Sequence, residues 1–401
     1  MFSSVPFYRG DPIYSLFEEY EKDPRKHKVS LSIGVYCDED GRVPYMHAVK
    51  AAEDEIAVTF GARPYLPMEG MPAFRTAAQH LLFGATHEAV KGGRIATIQS
   101  VGATGAVRVG AEFLRVNLNS DTAWISDFTW ETHLDIFEAS GYKVSRYPYY
   151  DARTGGVDFD AFYNCLGALP AGSVVVLHAC AHNPTGAELS NDEWTKVAKL
   201  MVQRGLIPFL DMAYQGFSKS LEEDAFAIRA LTDAGASFLV ANSFSKNFAL
   251  YGERMGALSV VCPDAAQAEN VLGQLKAAAR RTYSSPPTHG ARIIEKVLTT
   301  PALNASWQSE LESMRQRIMM MRHALHDALA LKIGAERVNY LLVQSGMFSF
   351  TGLAPVQIDM LRNEFGVYLV NTGRICLAGL TSKNVEYVAN AMAHVIEHVN
   401  R

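Results

Sequence analysis

Six short, continuously apolar runs occupy the middle of the chain, with helical patterns between them. The runs cover residues 95–98, 123–126, 174–177, 207–210, 238–241 and 258–261. Continuous apolar character, in place of alternation, is typical of strands buried on both faces, as in a mostly parallel sheet. The helical patterns between the runs, for example at residues 192–204, indicate an α/β fold. Ligands of such folds bind beyond the carboxyl ends of the strands.

The pattern changes after about residue 301, which predicts a second, smaller domain. A long helical stretch at residues 310–331 is followed by shorter strand and helix signals. We predict a large domain at residues 46–305 and a small one at 306–401, with residues 1–45 forming an N-terminal arm and part of the small domain. The run Ile318-Met319-Met320-Met321 could be a flexible binding surface, but core packing is the favoured interpretation.

Composition narrows the class of protein. The chain has 401 residues, enough for about two domains, and a net charge of -5 that argues against a nucleic-acid partner. Its five cysteines are odd in number and form no CxxC motif, which indicates free thiols in a reducing compartment. The N-terminus does not resemble a secretion signal, and no apolar run is long enough to span a bilayer. We therefore predict a cytoplasmic protein without a membrane partner.

The residues that follow the apolar run at 238–241 carry the most informative chemistry. They place an amine (Lys246), two hydroxyls (Ser243 and Ser245) and a guanidinium (Arg254) near one strand end. An amine can form a Schiff base with an aldehyde, and the other groups can hold a phosphate. Pyridoxal 5'-phosphate carries both. Most lysines are merely solvated surface charges, and a nucleophilic one needs a pKa lowered by burial or by cationic neighbours. Arg254, taken alone, would more often be a surface arginine.

A glycine-rich turn follows the first apolar run. Ser100-Val101-Gly102-Ala103-Thr104-Gly105 leads into a helical pattern from Ala106. Such a turn at a helix N-terminus presents free backbone N–H groups and a positive dipole end to a phosphate. Taken alone, this segment is explained equally well as a plain turn without a ligand. Together with the hydroxyls and guanidinium described above, it predicts a phosphate site.

Asp211 directly follows the apolar run at 207–210. A carboxylate there is costly unless it is paired, and a pyridinium nitrogen is a suitable partner. The carboxylate would keep that nitrogen protonated and make the ring an electron sink. A helix cap or a metal ligand is the alternative. Tyr214, three residues further on, could hydrogen-bond the phenolic oxygen of the ring.

The segment after the run at 174–177 alternates His178, Cys180 and His182, which suggests a metal site. On a strand these three side chains would share one face. No fourth ligand is evident nearby, so we predict no metal. Asn183-Pro184 is better interpreted as a turn that presents an amide at the mouth of the site.

Together these segments resemble the fold-type I, class I pyridoxal-phosphate aminotransferases, and are most similar to the aspartate and aromatic amino acid subfamily. The similarity extends over essentially the whole chain from Gly10-Asp11-Pro12 onward. It implies a mostly parallel seven-stranded sheet in the large domain and a smaller α+β domain. The resemblance rests on four motifs: His182-Asn183-Pro184-Thr185-Gly186, Asp211-Met212-Ala213-Tyr214-Gln215-Gly216, Ser243-Phe244-Ser245-Lys246-Asn247-Phe248 and Tyr283-Ser284-Ser285-Pro286-Pro287.

The resemblance implies a cofactor role for each motif. Lys246 would bind pyridoxal 5'-phosphate covalently, Asp211 would contact the ring nitrogen, and Tyr214 the ring hydroxyl with Asn183 beside it. Trp130 would stack beside the ring. Both Trp130 and Asn183 would also contact the substrate, and His133 would contact Asp211 from behind the ring site. The phosphate would be held by the backbone of Ala103 and by the side chains of Thr104, Ser243, Ser245 and Arg254.

The resemblance also implies substrate-binding residues that spacing does not reveal. Arg374, in Asn371-Thr372-Gly373-Arg374, would bind the substrate α-carboxylate through a bidentate pair. Gly34 would make a backbone contact near that carboxylate. Tyr65 would reach the phosphate from the neighbouring subunit, and Arg280, also from that subunit, would bind the side-chain carboxylate of a dicarboxylic substrate. A homodimer with shared active sites follows.

The chain departs from the family pattern at three positions. Ala103 stands where glycine is usual, Phe128 replaces a proline, and Ala181 follows Cys180 where a Cys-Cys pair is common. No departure removes a reacting group.

The match divides between two substrate branches. Residues 65–70, 208–211 and 250–254 are more similar to the aromatic branch, whereas 246–248 and 347–350 are as similar to the aspartate branch. The expected function is a ping-pong transfer of the amino group of tyrosine, phenylalanine and aspartate to 2-oxoglutarate. The alternatives are a mainly aspartate-specific aminotransferase, a β-lyase or decarboxylase on the same scaffold, and a ligand-sensing regulator. A regulator would need an effector module, for which the resemblance leaves no room.

Overall fold

The computed structural model describes residues 2–8, 10–59 and 61–398. The strands, in chain order, are β1 (Val29–Ser30), β2 (Ile95–Val101), β3 (Thr122–Ser126), β4 (Lys143–Tyr147), β5 (Tyr150–Asp151), β6 (Gly156–Val157), β7 (Val174–His178), β8 (Ile207–Met212), β9 (Phe238–Ser243), β10 (Met255–Val261), β11 (Phe348–Phe350), β12 (Val367–Tyr368) and β13 (Arg374–Cys376).

The α-helices are α1 (Pro12–Lys22), α2 (His47–Val58), α3 (Pro72–Phe83), α4 (Glu88–Lys91), α5 (Gly102–Asn117), α6 (Thr132–Ala139), α7 (Phe159–Ala168), α8 (Asn191–Arg204), α9 (Leu221–Asp224), α10 (Phe226–Asp233), α11 (Ala265–Thr282), α12 (His289–Thr299), α13 (Pro301–Ile333), α14 (Tyr340–Val343), α15 (Pro355–Phe365) and α16 (Val385–His398). Single 3₁₀ turns lie at Tyr251–Glu253, Ala335–Arg337 and Leu377–Gly379.

A seven-stranded sheet forms the centre of the molecule, in the order β2-β10-β9-β8-β7-β3-β4. The pairs from β9 to β4 are parallel, and β10 runs antiparallel to both β2 and β9. Each of the six apolar runs falls within one of these strands. The predicted α/β class and the mostly parallel seven-stranded sheet are confirmed.

The apolar runs did not reveal strand β4. This strand lies at the edge of the sheet, and Lys143 and Arg146 expose their side chains. An edge strand has a neighbour on one side only and commonly carries charged residues, so it lacks the continuous apolar signature of a central strand.

Helices cover both faces of the sheet and form a core on each. Helix α8 shows how local sequence sets their limits, because Ser190 and Glu193 form a capping box at its start and Gly205 adopts φ +62° at its end. Helix α5 packs very closely on the sheet, since a Cβ at Gly110 would lie 2.5 Å from Cζ of Phe209. Only glycine allows this close approach, which sets the height of α5 above β8.

Helix α13 is longer than the sequence predicted, beginning at Pro301 instead of residue 310 and ending at Ile333. Ile318 and Met321 are buried in the core, whereas Met319 and Met320 are exposed. Core packing therefore explains the ends of this apolar run, and helical periodicity turns its two middle residues outward.

The N-terminal and C-terminal regions of the chain are joined by parallel pairing of β1 with β12. This pairing supports the expectation that the N-terminal segment joins the C-terminal region. The predicted boundary between residues 305 and 306 lies within the continuous helix α13, and the division into domains stays a prediction. Among the described residues, no helix is both long enough and apolar enough to cross a membrane.

Candidate active site

The carboxyl ends of three neighbouring strands bring the predicted groups together. His178 ends β7 and is paired in register with Asp211 near the end of β8. Ser243 ends β9, the next strand, and Lys246 follows three residues later. Since parallel strands end at the same edge of the sheet, segments far apart in sequence meet there.

Asp211 has one satisfied and one free carboxylate oxygen. Oδ2 accepts a hydrogen bond from Nε2 of His133 at 3.0 Å, and Nδ1 of the same ring lies 2.9 Å from the hydroxyl of Thr129. Oδ1 is buried and has no hydrogen-bond partner among the described residues. Burial alone would raise the pKa of Asp211, but the bond and charge of His133 outweigh it and hold the pKa below its ordinary value. A buried carboxylate with a free oxygen is suited to a cationic N–H partner, as a protonated pyridine ring would supply.

Lys246 has the lowered pKa that a nucleophilic lysine needs. Burial, with the positive charges of Arg254 and Arg374, lowers the pKa of its amine to about 8, although Asp211 acts in the opposite direction. The amine nitrogen lies 5.1 Å from the ring centroid of Tyr214. Burial raises the pKa of Tyr214, so its phenol stays protonated and can donate a hydrogen bond.

The glycine-rich turn is the first turn of α5 and lies against Arg254. Gly102 has φ +65°, and a Cβ there would come within 2.7 Å of Nη2 of Arg254. Nη1 of Arg254 donates to Oγ of Ser245 at 3.3 Å, and both Ser243 and Ser245 are buried. The first-turn N–H groups, among them those of Ala103 and Thr104, have no acceptor within the helix. Free amides, hydroxyls and a guanidinium together fit a phosphate dianion.

Arg374 lies buried in β13 beside Asn183. Its Nη1 donates to Oδ1 of Asn183 at 3.0 Å, and its Nη2 donates to the carbonyl oxygen of Ser32 at 2.6 Å. The guanidinium carbon lies 4.5 Å from the ring centroid of Phe348. Nε has no partner among the described residues. A positive charge this deeply buried is suited to a carboxylate ligand.

Gly34 lies next to the same aromatic ring, because a Cβ there would come within 2.8 Å of Cζ of Phe348. Glycine is thus needed for the backbone of this segment to approach the site. Trp130 is partly buried, with its ring centroid 5.2 Å from that of His133 in an edge-on arrangement. Phe128, which replaces the usual proline, packs 4.7 Å from the ring of Phe350.

Two predicted residues lie outside this cluster. Tyr65 is 94% exposed. Arg280 is exposed near the end of α11, where its Nη1 donates to the hydroxyl of Ser284. A single chain does not bring them to the site, and their roles stay predictions.

The three residues of the His-Cys-His alternation do not lie on one strand. Strand β7 ends at His178, so Cys180 and His182 lie in the loop beyond it and do not share a strand face. His182 is bonded to Thr185, and Cys180 contacts the sulfur of Met212. A different trio, His133, His178 and Asp211, has ligand atoms within 4.8 Å of one another. These groups belong to the Asp211 environment described above.

Phe348 lies in the branch-comparison segment 347–350, but the local sequence did not predict it as a central part of the site. Its ring packs against the guanidinium of Arg374, lies edge-on to Tyr214 at 5.6 Å and limits the space at Gly34. A lone aromatic residue in an apolar segment is normally core, and only the fold reveals its three neighbours.

The profile of the family described as "Aminotransferase class I and II" matches residues 26–392, and the chain belongs to this family. Enzymes of the family depend on pyridoxal 5'-phosphate, and the unpartnered Oδ1 of Asp211 and the cradle at Gly102 fit that cofactor. Fold, family and cofactor therefore agree with the sequence resemblance.

Among particular relatives, the aromatic-amino-acid aminotransferase of Escherichia coli K12 is 53% identical over 99% of this chain and 100% of its own length. The aspartate aminotransferase of Pseudomonas aeruginosa is 46% identical, again over 99% of this chain and 100% of its own. Both substrate branches are thus represented among full-length relatives.

Solved structures give the same result. An aromatic amino acid aminotransferase from Burkholderia cenocepacia J2315 superposes with a TM-score of 0.95 at 51% identity, covering 99% of each chain. The Burkholderia pseudomallei aromatic-amino-acid aminotransferase, covalently bound to pyridoxal phosphate, gives 0.96 at 45% identity, covering 98% of this chain and 99% of the other.

Proposed function

We propose that this enzyme transfers the amino group of tyrosine, phenylalanine and aspartate to 2-oxoglutarate in a ping-pong reaction. The relatives named above support both donor classes. In addition, an aromatic amino acid aminotransferase from Psychrobacter sp. B6, cocrystallised with aspartic acid, is 46% identical with a TM-score of 0.97, over 99% of this chain and 100% of the other. That protein is named for aromatic substrates, and the ligand in its crystal is an acidic amino acid.

The observation that carries the proposal is the position of the unpartnered Oδ1 of Asp211 in the same buried site as Lys246 and Arg374. Asp211 and Arg374 both act on the pKa of the Lys246 amine. The site thus combines a carboxylate for a ring nitrogen, a nucleophilic amine and a guanidinium for a carboxylate. An amino acid bound through its α-carboxylate at Arg374 would have its Cα near Lys246.

Pyridoxal 5'-phosphate, when bound, supplies an aldehyde that takes up amino groups and a ring that delocalises the electron pair left on Cα. The protein would supply the rest. Lys246 would hold the cofactor and, once its amine is released, remove the Cα proton as general base. Asp211, fixed by His133, would keep the ring nitrogen protonated. Tyr214 and Asn183 would donate to the ring oxygen, and Trp130 would stack beside the ring.

The phosphate would be held by Thr104, Ser243, Ser245, Arg254 and the backbone of Ala103. Arg374 and the Gly34 segment would orient the substrate α-carboxylate. We propose that the enzyme is a homodimer in which Tyr65 and Arg280 complete the neighbouring site. Their exposure in the single chain is consistent with this. Arg280 would pair with an acidic side chain and turn away from an aromatic one.

The test is a panel of amino donors with 2-oxoglutarate, read by glutamate formation. We expect glutamate from tyrosine, phenylalanine and aspartate. Borohydride reduction of the cofactor-loaded protein, followed by peptide mapping, should place the adduct on Lys246. An adduct on another lysine would contradict the assignment.

A mainly aspartate-specific enzyme is the second candidate, favoured by the 46% identity to the Pseudomonas aeruginosa aspartate aminotransferase. The ratio of kcat/KM for tyrosine and aspartate decides between the two. Amino acid consumed without glutamate formation would instead indicate a lyase or decarboxylase.

A further inference from the structure

Two loops carry the groups predicted to contact the cofactor ring oxygen, and one side chain connects them. Asn183 lies on the loop after β7, and Tyr214 on the loop after β8. Glu188 accepts a hydrogen bond from the backbone N–H of Ala181 through Oε1, and one from the hydroxyl of Ser218 through Oε2 at 2.7 Å. Its carboxylate therefore links the loop after β7 to the loop after β8.

The Ala181 end of this bridge is under strain. Ala181 has φ +47°, a left-handed conformation that a residue with a Cβ adopts at a cost. A Cβ added at Gly346 would come within 2.6 Å of the methyl group of Ala181, so the C-terminal segment packs tightly against it. A hydrogen bond to a carboxylate is among the stronger ones available to a backbone N–H, and it holds Ala181 in this conformation.

The Ser218 end is firmly anchored. The buried carboxylate of Asp224 accepts hydrogen bonds from the backbone N–H groups of Gly216, Ser218 and Lys219 at 2.8, 3.1 and 2.8 Å. These three bonds fix the loop that follows Tyr214. Glu188 therefore connects a strained loop to a rigid one.

The bridge also reaches the substrate side of the site. Asn183, two residues after Ala181, accepts a hydrogen bond from Arg374 at 3.0 Å. A shift at Ala181 would move Asn183 and, through it, the guanidinium predicted to bind the α-carboxylate. Errors of about 1 Å in such groups cost up to about a hundredfold in rate.

We propose that Glu188 is a positioning residue, which sets Asn183 against Tyr214 on the cofactor side and against Arg374 on the substrate side. This inference rests on the function proposed above. It concerns a residue outside the groups assigned above to the cofactor and the substrate, which acts through the backbone of Ala181.

The test compares Glu188→Ala with Glu188→Gln in the cofactor-loaded enzyme. Glutamine keeps Oε1 as an acceptor for Ala181, and its amide can donate to the oxygen of Ser218, whereas alanine keeps neither bond. Glu193→Ala is the matched control. Glu193 accepts from the backbone N–H of Ser190 at 2.7 Å in the capping box of α8. Its loss therefore removes a carboxylate at the far end of the loop after β7 and leaves both hydrogen bonds of Glu188 in place.

The first readout is the pH midpoint of the bound cofactor's visible absorbance, because hydrogen bonds from Asn183 and Tyr214 to the ring oxygen would set it. Glu188→Ala should shift this midpoint by about 0.5 unit or more, a change of the size expected for one weakened hydrogen bond. Glu188→Gln and Glu193→Ala should keep the wild-type midpoint. An unshifted Glu188→Ala protein, or an equal shift in Glu193→Ala, would overturn the proposal.

The second readout is steady-state kinetics. Glu188→Ala should lower kcat/KM by about ten- to a hundredfold for tyrosine and aspartate alike, since both use the same α-carboxylate contact. Glu188→Gln should keep most of the wild-type kcat/KM. A Glu188→Gln variant with a kcat/KM as low as that of Glu188→Ala would contradict the hydrogen-bonding role. If Glu188→Ala does not fold, Ser218→Ala removes the other end of the bridge, and a wild-type midpoint in that variant would also overturn the proposal.

The two hypotheses fail in distinguishable ways. A wild-type enzyme that forms no glutamate from any donor would disprove the proposed function. An active wild type whose Glu188→Ala variant keeps the same midpoint and kinetics would disprove only the role of Glu188.

Discussion

The two ends of the candidate site are built differently. At the buried end, Asp211 is 4% exposed and Arg374 is 5% exposed, and both are hydrogen-bonded to neighbouring protein groups. At the end predicted to bind the substrate side chain, Tyr65 is 94% exposed and Arg280 is also exposed. One chain thus fixes in its core the groups proposed for the common chemistry and leaves at its surface the groups proposed to select the substrate.

This difference predicts two kinds of mutational effect. Changes at the buried end should affect all substrates, because every donor would use the same proposed amine, ring partner and carboxylate contact. Changes at the exposed end should affect some substrates and spare others. The contrast between general and selective effects can therefore be tested residue by residue.

The largest effect is expected at Lys246. Lys246→Ala would remove both the proposed covalent attachment and the proposed general base, so turnover should fall by at least about 10⁴-fold for every donor. The measurement is glutamate formation, with circular dichroism to confirm folding. Turnover near that of the wild type would place the chemistry elsewhere.

Arg374→Lys should come next. Lysine keeps the charge but cannot make a bidentate contact while also bonding Asn183 and Ser32, so kcat/KM should fall by about a hundredfold. The decrease should be similar for tyrosine and aspartate. A decrease in kcat/KM for only one donor would contradict the prediction that changes at the buried end affect all donors.

Arg280→Leu should have a selective effect. Loss of a charge-assisted pair should lower kcat/KM for aspartate by about ten- to a hundredfold, with a much smaller change for tyrosine. The comparison is the ratio of the two kcat/KM values in the wild type and the variant. Equal losses for both donors would disprove the selective role.

The smallest effect concerns stability at Asp224. Burial and the charge of Glu188 raise the pKa of Asp224 from its ordinary value of 3.8 to about 6, although backbone hydrogen bonds oppose the shift. Between these values the folded state binds more protons at this group than the unfolded state. Its contribution to the free energy of unfolding therefore falls as pH rises from about 4 to about 6, by about 2 kcal/mol.

Asp224→Asn should remove that contribution. Denaturant unfolding at pH 4, 5 and 6 should show the wild type losing stability relative to the variant across this window. Asp192→Asn is the control, since Asp192 is exposed in the first turn of α8. Parallel pH profiles for the wild type and Asp224→Asn would contradict the raised pKa.

Much of the fold could be predicted because the central strands are continuously apolar in sequence. The edge strand β4 could not be, since its charged outward residues break that pattern. Helix α13 begins nine residues before the position that the sequence predicts, because Ser306, Gln308 and Ser309 weaken the apolar pattern although Trp307 is fully buried.

The site was predictable in part for a similar reason. Asp211 and Lys246 stand out because a charge next to a buried strand needs an explanation. Glu188 lies in the loop before α8 and Asp224 ends the short helix α9, where carboxylates are ordinary. Only the fold shows that their oxygens accept hydrogen bonds from loop backbones. Residues that act on the backbone at a distance leave no mark in local spacing.

Strand β10 is reversed relative to its neighbour β9, and this reversal has a consequence for engineering. Its first residue, Met255, pairs with Val101 at the end of β2, and Gly256 pairs with Ser243 at the end of β9. Arg254, just before β10, thereby joins two segments separated by more than a hundred positions in the chain. A designer who transferred this proposed phosphate site to an all-parallel scaffold would have to include the antiparallel strand β10 as well.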